Sequence, residues 1–256
     1  RLQPPTMHIT LLGTGSAMPV PDRVQTGLLL ERDDRTLLVD CGAGVLHRLA
    51  NTDVGYEGVS SVLLTHHHLD HVNDLLALLK ARWLSGEDHL EVVGPSGTKA
   101  LLDSLIADFD YLEGRVDLSV REVSPGESFS VAGFDVESHE TVHSVECLAY
   151  RFDGEDEEGT FTFGADGEAS PAIARFAEGS DLLLHDCSFP DEVDVDNHPT
   201  PTQLGEALAG ADIDRLYLTH LYPHTDGKHE AMLDSITAAG FEGEVGIAAD
   251  GLEFQL

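Results

Sequence analysis

The seven residues Thr65–His71, THHHLDH, decide how this chain is read. They follow the apolar run SSVLL directly, and the six positions His66–His71 hold four histidines and one aspartate. Neutral imidazole and carboxylate are good ligands for Zn²⁺, Mn²⁺ or Fe²⁺. Alternation along an extended loop aims His66 and His68 at one point. Asp70 and His71 follow as the chain turns into a helix, and can face a second point nearby. A catalytic zinc keeps three protein ligands and an open position, so two such points need further ligands from elsewhere. A purification tag would stand at a terminus and lack the aspartate, whereas this tract continues a core-type strand.

Outward from the tract, short apolar or alternating runs are separated by Gly, Pro and Asp turns. MHITLLGTG, TGLLLER and RTLLVDCGAG read as a β-meander, and VLHRLANTD has helical spacing. VNDLLALLKARW reads as an amphipathic helix with Asn73 and Asp74 in its first turn. The final third alternates helix and strand from PAIARFAEG to EVGIAAD. SVLLTH (Ser61–His66) and RLYLTH (Arg215–His220) are two apolar strands that both end in Leu-Thr-His. Ligands in open α/β sheets gather beyond the carboxyl ends of strands, so the two ends can share a site. No proline-rich or low-complexity linker interrupts residues 7–256, which read as one domain. Residues 1–6, RLQPPT, read as a foreign remnant before Met7.

At 256 residues with 41% hydrophobic side chains the chain can bury a large core. It shows neither an apolar run of about 18 residues nor a charged-then-apolar leader, so neither a membrane span nor a signal peptide is expected. Cys41, Cys147 and Cys187 are odd in number and form no CxxC. They read as small buried residues in a reducing, cytoplasmic protein rather than as a disulfide framework. The 47 acidic residues outnumber the 14 basic ones, for a net charge of −33, and only three of the basic residues are lysines. Such a lysine-poor acidic surface resembles proteins of salt-accumulating halophiles. In about 1 M salt the Debye length is roughly 3 Å, so repulsion of a nucleic acid is largely screened. In ordinary buffer it counts against such a partner.

The pattern H-x-H-x-D-H after an apolar strand resembles the hallmark of the metallo-β-lactamase superfamily, and the resemblance runs over nearly the whole chain. LLGTGSAMPVPDRVQTG is similar to the opening of the ribonuclease Z-like branch, and LLVDCGAG to its next strand and turn. HSVECLAYRF, FGADG, DLLLHDCSF, NHPTPTQLGEALA and LYLTHLYP resemble its later motifs. The resemblance implies an α/β fold, the αββα sandwich of two mixed β-sheets packed face to face with helices outside. It implies two divalent metal ions, zinc first and manganese or iron as alternatives. His66, His68 and His143 would hold one, Asp70, His71 and His220 the other, with Asp166 bridging. It further implies hydrolysis of phosphodiesters through a hydroxide shared by the metals, with Asp70 among the catalytic residues. His198 would protonate the leaving oxygen or steady the negative transition state, with Asp186 orienting it. A homodimer is implied as well.

Several residues have plainer readings. His139 lies on the same face of an extended segment as His143 and competes with it as ligand. Asp40 is either a ligand-orienting residue or a turn residue. His224 reads as an exposed loop residue, His185 as structural, and His8, His47, His89 and His229 as ordinary. Gly13-Thr-Gly15-Ser lacks the Gly-Lys of a phosphate loop and reads as a tight turn. The chain also departs from ribonuclease Z. Only 23 positions separate His143 from Asp166, the stretch contains the acidic Glu155–Glu158, and it holds no basic or Gly-Pro-rich arm to grip tRNA. Aspartate stands at 186 in place of glutamate, and Asn197-His198-Pro199 in place of Gly-His-Ser. These features point from tRNA 3′-end processing toward RNA or other less structured, single-stranded nucleic acid, or toward small cyclic phosphodiesters. Thioester, lactone, β-lactam or sulfate ester hydrolysis, and a non-catalytic metal-binding role, are the other readings.

Overall fold

Leu28, Leu29 and Leu30 are all fully buried, and the direction each takes explains the architecture. In a strand, successive side chains point to opposite faces. Leu28 and Leu30 enter the core between two sheets, while Leu29 joins a second core under a layer of helices. A strand apolar on both faces needs cover on both, and the chain supplies it. These relations come from a computed structural model that describes residues 6–154, 159–193 and 195–256. The leader residues 1–5 and the acidic Glu155–Glu158 lie outside the described residues.

The first sheet contains β1 (His8–Gly13), β2 (Gly27–Arg32), β3 (Arg35–Val39), β4 (Ser61–Leu63), β5 (His89–Gly94) and β6 (Asp117–Glu122). The second contains β7 (Ser128–Val131), β8 (Phe134–Glu140), β9 (Leu148–Phe152), β10 (Phe161–Phe163), β11 (Leu182–Asp186), β12 (Arg215–Thr219) and β13 (Glu244–Ile247). A last strand, β14 (Glu253–Gln255), returns to pair with β1, giving the orders β14-β1-β2-β3-β4-β5-β6 and β13-β12-β11-β10-β9-β8-β7. Both sheets are mixed. Pairing is antiparallel up to β3 and parallel from β3 to β6 in the first. In the second it is antiparallel from β7 to β10 and parallel from β10 to β13. Phe134, Phe152, Phe161 and Phe163 of the second sheet meet Ile9, Leu11, Leu28 and Leu30 of the first in the shared core.

Helices α1 (Val45–Leu49), α3 (Leu75–Ser85) and α4 (Thr98–Asp108) cover the outer face of the first sheet. A core of the same kind under α5 (Pro171–Phe176), α6 (Pro201–Ala207) and α7 (His229–Ala238) covers the second. This is the αββα sandwich, with seven strands in each sheet. Local chemistry sets the helix starts: Ser170 caps α5, and Thr200 with Gln203 forms a capping box before α6. Among the described residues no helix is long and apolar enough to cross a membrane.

Two details depart from the reading of the sequence. The helix expected over VNDLLALLKARW is divided: α2 (Leu69–Val72) begins inside the histidine tract, and α3 starts only at Leu75. Asp74 does not cap α3; its carboxylate accepts from the backbone N–H of Gly44 and Leu46, at the start of α1. Strand β14 carries a single apolar residue, Phe254, between two exposed polar ones, too little to mark a strand.

Candidate metal centre

The histidine tract leaves β4 at the carboxyl end of the parallel half of the first sheet, as Asp166, Asp186 and His220 do at β10, β11 and β12 of the second. The Leu-Thr-His echo has a spatial meaning: His66 and His220 come from different sheets to one place. His143 joins them from the β8–β9 connection. Close approach of the loops is a steric demand. A Cβ at Gly42, just after β3, would lie 2.0 Å from the carbonyl oxygen of Asp70.

Two sets of donors converge. His66 Nε2 is 3.0 Å from His68 Nδ1, and His143 Nε2 is 3.2 Å from the same atom. On the other side His220 Nε2 is 3.0 Å and His71 Nε2 3.8 Å from Asp70 Oδ2. Between the sets stands Asp166, whose Oδ2 is 3.1 Å from His220, 3.3 Å from His71 and 3.7 Å from His66. Ligands about 2.0–2.2 Å from a tetrahedral ion are separated from one another by about 3.3 Å, so these spacings are those of donors around shared cations. His71 Nε2 is buried without a hydrogen-bond partner, its approach to Asp166 being misaligned for one. An orphaned ring nitrogen facing two carboxylates suits a cation.

The protonation chemistry agrees at the first donor set. Burial, with neighbouring imidazoles, pushes His66 well below the usual histidine range, and burial also lowers His68 and His143, so this trio stays neutral and ready to ligate. At the second set, against the pull of burial, Asp166 and Asp40 raise His71, and Asp166 and Asp70 raise His220, above the usual histidine range, so those rings release protons when a cation binds. Burial alone would raise Asp166, but the rings of His220 and His71 hold it ionised, well below the ordinary carboxylate range.

Each inward ring nitrogen has its opposite nitrogen held. His66 Nδ1 is 3.0 Å from Thr65 Oγ1, His71 Nδ1 2.7 Å from Asp40 Oδ2, and His220 Nδ1 2.9 Å from Ser188 Oγ. His143 Nδ1 donates to the Asn197 carbonyl at 3.2 Å. Such partners fix tautomer and ring orientation. Strain concentrates here too: of six non-glycine residues with positive φ among the described residues, four are Asp40, Ala165, Asn197 and His220.

Asp40 is the hub of the first-sheet side. It is fully buried and accepts from Thr65 N and Thr65 Oγ1, both at 2.8 Å, besides holding His71. It thus orients His71 directly and His66 through Thr65. Asp40→Asn should weaken metal binding by about 10–100-fold, read by competition with a chromogenic chelator. Unchanged affinity would leave Asp40 a loop residue only.

His198 lies at the rim. Its Nδ1 is 2.5 Å from Asp186 Oδ2, and its ring stacks on His220 at 5.5 Å. Burial lowers its pKa, yet Asp186, by charge and hydrogen bond, and then Asp166 and Asp70 lift it to about 8. Ser188, which the sequence did not single out, donates to Asp186 Oδ1 at 2.5 Å while touching His220. The competitor His139 and two other histidines are held elsewhere. His139 stacks on Phe176 at 5.0 Å, His185 is buried in β11 and bonds the Asp186 carbonyl, and His67 turns to Thr98 Oγ1 at 2.8 Å. A cavity of about 380 Å³ opens over the centre, lined by Leu69, Asp70, His143, Asp166, His198 and Tyr222 among others. Among the described residues no lysine or arginine lines it.

The profile of the family described as "Anti-Pycsar protein Apyc1" matches residues 7–231. The ribonuclease Z of Methanopyrus kandleri is 31% identical, with 84% of this chain and 87% of that protein covered. The chain belongs to the Apyc1 family, within the ribonuclease Z-like branch of the metallo-β-lactamase superfamily. The ribonuclease Z of Mycobacterium marinum is 29% identical over 95% of this chain and 96% of its own. The metallo-β-lactamase fold protein YhfI of Bacillus subtilis superposes with a TM-score of 0.82 at 28% identity, covering 98% of this chain and all of its own. This ribonuclease Z-like chain is accordingly a metal-dependent hydrolase of the phosphodiesterase and nuclease kind.

Proposed function

We propose that the chain hydrolyses phosphodiesters with two divalent cations, zinc first, and that RNA or another single-stranded nucleic acid is the substrate to test first. His66, His68 and His143 would hold one ion and Asp70, His71 and His220 the other, with Asp166 within reach of both. The observation that carries this is the placement of Asp166 Oδ2 between the two donor sets, with His198 stacked against His220 at the rim. Cations bound there supply charge neutralisation for phosphoryl oxygens and acidify water. The protein's own contribution is proton handling: His198, held through Nδ1 by Asp186, presents its other nitrogen to the leaving oxygen. The relatives called ribonuclease Z support the RNA reading. The acidic, lysine-poor composition supports a salt-rich, cytoplasmic setting, and a homodimer is proposed on family resemblance.

A second reading, small cyclic phosphodiesters, is favoured by the cavity itself. About 380 Å³ with no lysine or arginine among the described lining residues is a poor groove for a long polyanion. An end-labelled assay in high KCl with Zn²⁺ or Mn²⁺ decides between them, comparing a tRNA precursor, an unstructured RNA and a cyclic mononucleotide, with His68→Ala as blank. The RNA reading expects a ladder on the unstructured RNA that is absent from the blank. Hydrolysis of the cyclic nucleotide alone would transfer the assignment to the second reading, and a single cut at the tRNA 3′ end would overturn the argument from the missing arm.

A further inference from the structure

The protein carries few large apolar side chains on its surface, and they are not spread evenly. Among the described residues eight are exposed. Leu69 lines the cavity over the metal centre, and Met18, Val142, Val145 and Val195 each lie within two chain positions of a residue that does. The segments that supply the lining thus carry five of the eight, an apolar collar along the chain on an otherwise acidic protein. Apolar surface that is exposed and clustered is a mark of recognition.

Inside the collar stands Tyr222, partly exposed and lining the cavity. The ring of buried Phe189 stacks against it, with centroids 4.6 Å apart and planes at 27°. Its backbone is fixed: Tyr222 N donates to the Ser188 carbonyl, Pro223 starts a 3-10 turn directly after it, and Thr225 Oγ1 donates to the Tyr222 carbonyl at 2.9 Å. A ring held this way loses little freedom when something packs on it. Position relative to the proton donor matters most. His198 Nδ1 belongs to Asp186, so the leaving oxygen must come to the other nitrogen. The group departing with that oxygen then sits beside His198, where Tyr222 is the cavity-lining aromatic ring, 6.0 Å away.

We propose that Tyr222 is the specificity-determining residue of this site, a platform on which a flat aromatic leaving group of the phosphodiester stacks while the collar shields its edges. This rests on the phosphodiesterase reading and names the chemistry on the leaving side. Stacking on an aromatic side chain tolerates any flat ring, so the selection is for aromatic over puckered groups rather than for one base. Diphenyl phosphate and dicyclohexyl phosphate make the test, since they share charge and approximate size and differ in having a π face. Their binding to the metal-loaded protein is measured calorimetrically, and as inhibition of bis(p-nitrophenyl) phosphate hydrolysis.

Wild type should bind diphenyl phosphate at least about fivefold more tightly. Tyr222→Leu should abolish that difference with metal content retained, and Tyr222→Trp should keep it. Equal binding of the two by wild type overturns the platform, as does a preference surviving in Tyr222→Leu or an equal loss of both ligands there. Failure of wild type to hydrolyse bis(p-nitrophenyl) phosphate at all would instead remove the phosphodiesterase reading on which the platform stands.

Discussion

Asp166→Asn is expected to lower diester hydrolysis by three orders of magnitude or more and to bring the metal content below two ions per chain. One oxygen of Asp166 faces His66, His71 and His220 from within 3.7 Å, so this carboxylate reaches both donor sets. The amide keeps the shape but removes the negative charge and offers only one oxygen. A metal's charge stabilisation is worth several kcal/mol, and about 1.4 kcal/mol is tenfold in rate, which sets the expected scale. The companion variant is His67→Ala, inside the same tract. His67 bonds Thr98 across from the centre, so its loss should cost about 1 kcal/mol of stability and leave the metal in place. Atomic absorption on both proteins, with hydrolysis of bis(p-nitrophenyl) phosphate, checks the pair. Equal metal loss in the two would mean that the tract acts as an undifferentiated histidine cluster.

That contrast shows how far the sequence could be read. His66, His68, Asp70 and His71 are neighbours in the chain, so their spacing displays a ligand pattern without any fold. His143, Asp166 and His220 stand 72, 95 and 149 positions beyond His71 and form no such pattern, and only resemblance to a family brought them to the same centre. The sandwich itself was half legible. Runs such as GLLLER announce a strand buried on both faces, but nothing local says that two sheets rather than one will share them.

The residues that were missed act through hydroxyl, carbonyl or backbone geometry. Thr65 and Ser188 are ordinary in composition, and Ser188 gains its meaning from His220, 32 positions away. One signal was available: Thr65 and Thr219 stand before His66 and His220 at both Leu-Thr-His ends, although in the structure Thr65 bonds the histidine ring that follows it and Thr219 shows no such bond. The positive φ of Asp40 and His220 had no sequence mark, because strain at a side chain other than glycine is imposed by packing around it. Tyr222 reads as one more aromatic until its loop is seen pinned beside His198.

His198→Ala separates chemistry from metal binding. Asp166, His198 and His220 together could themselves hold an ion, so the ring is either a proton donor or a ligand. As donor, its removal should reduce kcat on an alkyl diester by about 10²–10⁴-fold while both ions stay bound. On a p-nitrophenyl diester, whose leaving group needs no proton, the loss should be much smaller. Loss of metal with equal damage to both substrates would make His198 a ligand. The pH dependence follows from sign. A donor must carry its proton, and Asp186, Asp166 and Asp70 outweigh burial to place the His198 pKa at about 8, so the rate should fall as pH rises through that region. Cations held by Asp166 and Asp70 would cancel part of that support, so the limb of the loaded enzyme is expected at or below about 8, with Asp186 as the remaining anchor. Asp186→Asn removes the anchor, and its alkaline limb should move to lower pH at unchanged metal content. A limb that stays in place would detach Asp186 from the protonation of His198.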